Sequence, residues 1–179
     1  QYLNSSIDAA VISDVGLTNL TSAMAGDITI YNDNAGQTFS LADATGSSDV
    51  LTIKAAHVTS TASADLTTTT VTGFETVNFA ANSGDKLTTA TSDRSTLSFT
   101  AAGQLKTINL TGSKSGAVDI SSNAVKVTTV DATGITGGAV ITTGGQTGDL
   151  TVTGSAVADS FTVGTVGTGG SVTFNGGAG

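Results

Sequence analysis

One short phrase recurs along the chain: Phe74-Glu75-Thr76-Val77-Asn78-Phe79, Leu105-Lys106-Thr107-Ile108-Asn109-Leu110 and Val127-Thr128-Thr129-Val130-Asp131-Ala132. Each copy reads apolar, any residue, Thr, β-branched, Asn or Asp, apolar. The second and third copies start 22 residues apart, and Gly116-Ala117-Val118-Asp119-Ile120 and Gly138-Ala139-Val140-Ile141-Thr142 stand at the same offset. A period in this range marks a solenoid or stacked array, in which a coil buries its apolar edge only against the coils before and after it. Function in such a chain is expected in its surfaces, length and edges rather than in a single pocket.

The residue types say which solenoid. Thr fills nearly one position in five, Gly contributes 23 residues, and Pro and Cys are absent. Thr and Val favour strands and Gly supplies turns, so the fold class is all-β, a parallel β-solenoid of the β-helix or β-roll kind. With aromatics at 4% and no Trp, the core is thin and built from Val, Ile, Leu, Ala and a few Phe. Successive strand residues point to opposite faces. Val77 and Phe79, Ile108 and Leu110, and Val130 and Ala132 therefore point inward, while Asn78, Asn109 and Asp131 stack on the outer face. Phe74, Leu105 and Val127 break the alternation and mark a bend. Strands stacked ~4.8 Å apart in seven or eight coils would give a rod of roughly 35 to 40 Å.

Residues 1–25 read differently, as a short helix or irregular leading segment, because Leu3, Ile7, Ala10 and Val11 recur at helical spacing. Residues 26–179 read as solenoid repeats of about 20–22 residues. An insertion is expected near 55–70, where the sequence is least periodic. The chain begins at Gln1, as a processed product or a fragment would. No apolar run approaches membrane-spanning length, which argues against membrane insertion.

The formal charge of -8, with only six basic residues, argues against a nucleic-acid partner, whose phosphates need Lys and Arg. Thirteen of the fourteen acids are Asp, the short carboxylate that caps tight turns or grips a hard cation. Gly46-Ser47-Ser48-Asp49-Val50-Leu51 and Ala158-Asp159-Ser160-Phe161 each put Asp two residues before a large apolar residue. That is the second half of the nonapeptide G-G-x-G-x-D-x-U-x, whose turns bind Ca²⁺. Gly176-Gly177-Ala178-Gly179 matches its first half. Asn32-Asp33-Asn34-Ala35-Gly36 is a further oxygen-rich turn. The candidate calcium ligands are thus Asp49, Asp159, Asp33, Asn34, Asp43 and Asp149. The same side chains would serve equally as turn caps that keep a rod soluble.

Catalysis is not expected. His57 is the single His and there is no Cys, so Ser-His-Asp and Cys-His arrangements lack their parts. Asp93-Arg94 reads as an exposed ion pair at a turn.

The phrases Val71-Thr72-Gly73-Phe74-Glu75-Thr76-Val77-Asn78-Phe79, Leu105 to Gly112 and Val127 to Gly134 resemble the Gly-, Thr- and Asp-rich surface-layer proteins of Gram-negative bacteria. Those of Caulobacter and Campylobacter, and the wider RTX group, are of this type. The resemblance implies a calcium-binding β-solenoid, secreted by a type I pathway, that assembles into a lattice outside the outer membrane. Complete G-G-x-G-x-D-x-U-x repeats are missing. The leading expectation is a structural, non-enzymatic S-layer fragment whose partners are copies of itself, in a lattice or filament, and surface polysaccharide. A stalk module of a secreted adhesin and a polysaccharide-active β-helix enzyme are the alternatives.

Overall fold

The computed structural model of the chain describes residues 16–30, 34–56, 64–82, 94–122 and 126–179. It is nearly all β, with parallel sheets wound into a β-solenoid of about 6 turns and one short helix. In chain order come β1 (Leu17–Leu20), helix α1 (Ser22–Ala25), β2 (Ile28–Ile30), β3 (Asn34–Ala35), β4 (Thr38–Leu41) and β5 (Val50–Ala55). There follow β6 (Leu66–Thr72), β7 (Thr76–Ala81), β8 (Ser95–Ala101), β9 (Thr107–Gly112) and β10 (Gly116–Ile120). The last five are β11 (Thr129–Ile135), β12 (Ala139–Thr143), β13 (Asp149–Thr153), β14 (Ser160–Val163) and β15 (Ser171–Asn175).

One sheet runs β1-β4-β6-β8-β10-β12-β14, with β3 also paired to β6, and the other runs β2-β5-β7-β9-β11-β13-β15. Each coil thus lays one strand on each sheet. The register is set by the apolar alternation: Leu51, Val77, Ile108, Val130, Val152 and Phe174 form one unbroken inward column. Leu97, Val118, Ile141 and Phe161 form another on the facing sheet. A slip of one residue would turn a whole column to solvent, so burial itself holds the stack in step. Val77, Phe79, Ile108, Leu110, Val130 and Ala132 are all fully buried.

The bend ahead of each phrase has a physical cause. Phe74, Leu105 and Val127 are buried two residues before their strands begin, so they fill the corner of the coil. The residue after each pairs with the neighbouring coil through its backbone. The Asp49 carbonyl accepts the Glu75 and Thr76 N–H groups, that of Glu75 accepts Lys106 and Thr107, and that of Lys106 accepts Thr128 and Thr129.

Register changes one expectation from sequence, the number of turns. The 22-residue spacing holds between Asp149 and Ser171, but Thr52 and Asn78 are 26 apart and Asn78 and Asn109 are 31 apart. Earlier coils are longer, so the chain makes about 6 turns instead of seven or eight. At ~4.8 Å per strand the stack is about 30 Å tall. The two Gly-Ala-Val phrases do not pair at equal offset, since Gly116 lies opposite Ala139, not Gly138. The one-residue shift places Ile141 against Val118 inside and leaves Val140 facing out, as a sheet with one buried face demands.

Leu3, Ile7, Ala10 and Val11 of the expected leading helix lie outside the described residues. The described part of 1–25 contributes β1 and α1. Thr21 caps α1, its Oγ1 accepting the Met24 N–H at 3.3 Å. The helix packs against β1 and β5. Within the expected insertion, residues 57–63 lie outside the described residues, while 66–70 belong to strand β6.

Candidate functional site

The carboxylates singled out by sequence sit at coil corners, beside strand ends. Asp49 immediately precedes β5 and Asp159 immediately precedes β14, Asp149 opens β13, and Asp43 follows β4. Asn34 opens β3, where its backbone pairs with Leu66. Asp33 and His57 lie outside the described residues, as does Asp93.

Two of these acids, Asp159 and Asp43, accept backbone N–H groups at their corners. Asp159 is the fullest case. Its Oδ2 accepts the Ser155 N–H at 2.7 Å, and its Oδ1 accepts the Ser155 hydroxyl at 2.7 Å and the Ala139 N–H at 2.8 Å. One side chain therefore closes its own turn and ties the start of β12, one coil away. Asp149 Oδ1 accepts the Ser171 hydroxyl of the next coil at 2.6 Å. Asp43 serves only its own turn, taking the Thr45 hydroxyl at 2.6 Å and the Thr45 N–H at 3.1 Å. Those two bonds, the hydroxyl one first, hold the Asp43 carboxyl below its ordinary range.

Three further side chains make the same inter-coil tie. Glu75 Oε2 accepts the Asp49 N–H at 2.9 Å, Asp65 Oδ1 the Thr96 N–H at 2.8 Å, and Gln104 Oε1 the Gly73 N–H at 2.8 Å. Glu75 had a visible signal: it is the chain's single Glu and sits in the variable slot of the phrase. Asp65 and Gln104 had none, because they bond residues 31 positions away through coils of irregular length.

Asp49 and Glu75 occupy equivalent corners of adjacent coils, since Val50 pairs with Thr76. Asp49 Oδ2 is buried with no hydrogen-bond partner. No three His, Cys, Asp or Glu side chains among the described residues gather at a point that could hold a metal ion. A surface groove of about 800 Å³ is lined wholly by Ser, Thr and Gly of the stretches 121, 142–147 and 162–167.

The outer face of the β2–β15 sheet is the other regular feature. Thr76, Thr107, Thr129, Thr151 and Thr173 stand in one register column. Beside it run Thr52, Asn78, Asn109, Asp131, Thr153 and Asn175. Asn109 Nδ2 donates to Asn78 Oδ1 at 2.8 Å, and Asn78 Nδ2 donates to Thr52 Oγ1 at 3.3 Å. Asp131 follows in the column, but its Oδ1 is taken by the Thr133 N–H and hydroxyl.

The corner ties predict a specific loss. Asp159→Ala removes the acceptor for three donors, the Ser155 N–H and hydroxyl and the Ala139 N–H, on two buried residues. Stranding them should cost about 2 kcal/mol in urea unfolding. A change within about 0.5 kcal/mol would place Asp159 among ordinary surface residues. No family model, no curated protein sequence and no solved structure matches the chain.

Proposed function

We propose that the chain is a structural segment of a self-assembling bacterial surface-layer subunit, secreted and held outside the outer membrane, whose partners are copies of itself. The observation that carries this reading is the outer face of the β2–β15 sheet. Across its Thr column and the Asn-bearing column beside it, Asp131 is the sole ionisable side chain. In a chain of net charge -8, such a face can meet its like without desolvating or opposing many charges. Its hydroxyl and amide groups repeat with the strands, so contacts made once are made again coil after coil. The resemblance of the repeated phrases to Gram-negative surface-layer proteins supports the same reading.

Electron microscopy of the purified chain over a concentration series tests it. Ordered sheets or filaments are expected. Separate short rods at every concentration, with Ca²⁺ or with EDTA, would retire the assembly reading.

Calcium belongs to the proposal as a stiffening ion at the Asp49–Glu75 corner, where Asp49 Oδ2 has no donor. No assembly step depends on it here. The expected result is a higher thermal midpoint in Ca²⁺ than in EDTA, with the difference erased by Asp49→Asn. Equal midpoints in both buffers would remove calcium and leave the scaffold standing.

A further inference from the structure

The outer face of the β2–β15 sheet keeps two regularities, a near absence of charge and a line of side-chain amides, and Asp131 breaks both. Its column runs Thr52, Asn78, Asn109, Asp131, Thr153 and Asn175, in register from coil to coil. Asn109 donates to Asn78 and Asn78 to Thr52, each side chain handing an N–H to the coil before it. A carboxylate has no N–H to give, so the line begins at Asn109 and not one coil later.

The charge is not what its own turn requires. Asp131 accepts the Thr133 N–H at 2.9 Å and the Thr133 hydroxyl at 2.7 Å, and both bonds go to Oδ1. The oxygen of an amide could take the same two. Nor does a counter-ion hold the charge. Lys54, outward on β5, is already paired with Asp27 at 2.6 Å, and no ion pair of Asp131 exists among the described residues. Asp149, at the nearby corner, has its Oδ1 on the Ser171 hydroxyl.

A charge that neither turn nor ion pair needs has its effect on whatever meets the face. Where that is a second copy, the two Asp131 carboxylates are brought toward each other. Sheets packed face to face lie about 10 Å apart. That distance matches the screening length of about 10 Å at 0.1 M salt and exceeds that of about 3 Å at 1 M. We propose that Asp131 opposes lateral association of copies through this face, so that ionic strength sets when they assemble. One repulsive position on a face that otherwise favours contact is enough to set such a threshold. This names the regulation of the proposed assembly face and rests on that reading.

Light scattering of the full 179-residue chain over a concentration series, at about 0.01 M and about 1 M salt, tests the restraint. The wild type is expected to associate at a lower concentration in the higher salt. Asp131→Asn should lower the low-salt threshold roughly fivefold, the equivalent of one exposed charge contact, and flatten its salt dependence. Asp131→Ser removes the charge without supplying an amide and should do the same. If it stays at the wild-type threshold, the amide line and not the charge is responsible, and the proposal falls. Asp119→Asn is the matched control, since Asp119 lies on β10 of the other sheet and its Oδ1 also accepts an N–H two residues on, from Ser121 at 2.8 Å. It changes net charge equally and should leave the wild-type threshold in place. Equal shifts from Asp119→Asn and Asp131→Asn would assign the effect to net charge, overturning the proposal while assembly stands. Chains that stay single in every variant and salt overturn both. A wild type single throughout beside an associating Asp131→Asn would support the restraint and overturn assembly of the unaltered chain. The variants should keep the β-sheet circular dichroism of the wild type. Its loss in an associating variant would make association a consequence of unfolding and overturn the proposal.

Discussion

Phe79→Ala is expected to lower the unfolding free energy by about 3–5 kcal/mol, a loss set by the transfer of the ring and the cavity it leaves. Phe79 is fully buried and lies in register between Ile53 of the coil before and Leu110 of the coil after. In a stacked array, stability is a sum of coil terms and nearest-neighbour interfaces, so a central cavity weakens two interfaces at once. Scanning calorimetry should show the midpoint fall by about 6–20 °C for a chain of this size. The transition should also broaden or split as the halves on either side of β7 lose their coupling. A single sharp transition lowered by less than about 2 °C would show that the inward column is not what holds the coils together.

Gly112→Ala should be nearly as costly, for a different reason. Gly112 ends β9 with φ at +116°, a backbone conformation that residues with a Cβ rarely adopt. A Cβ there would collide with the Ala81 carbonyl oxygen and lie 2.7 Å from the Ala81 carbonyl carbon. Both flanking backbone bonds are in use. Ala81 O accepts the Lys114 N–H at 3.1 Å, and Gly112 O accepts the Thr136 N–H at 2.9 Å. Backbone strain and overpacking each cost about 1–3 kcal/mol, so a combined loss of about 3 kcal/mol is expected in urea unfolding. Gly103→Ala is the matched control, since nothing lies within 4 Å of the position its Cβ would take. Equal losses at the two sites would show that backbone freedom in general, and not close approach of coils, governs stability here.

The calcium candidates show where residue types stop being informative. An Asp two residues before a large apolar residue is the same string whether its oxygens face a cation or a backbone N–H. Asp159 has both oxygens engaged by protein donors, whereas Asp49 keeps a buried Oδ2 without one. The difference depends on what the neighbouring coil presents at that corner. Ala139, the coil-to-coil partner of Asp159, is 20 residues from it, and no local pattern connects them.

The order of side chains along the strands determined the class of fold, because alternation and repetition are local properties written into consecutive residues. Val77, Ile108 and Val130 could be placed inside, and Asn78 and Asn109 stacked outside, from spacing alone. The tertiary structure decided how many residues each coil spends on its corners, and hence the number of turns. It also decided the one-residue shift that puts Ile141 rather than Val140 opposite Val118. Corner length and register both depend on contacts between residues twenty or more positions apart. The repeated phrase specifies a coil; burial against the neighbouring coil specifies the stack.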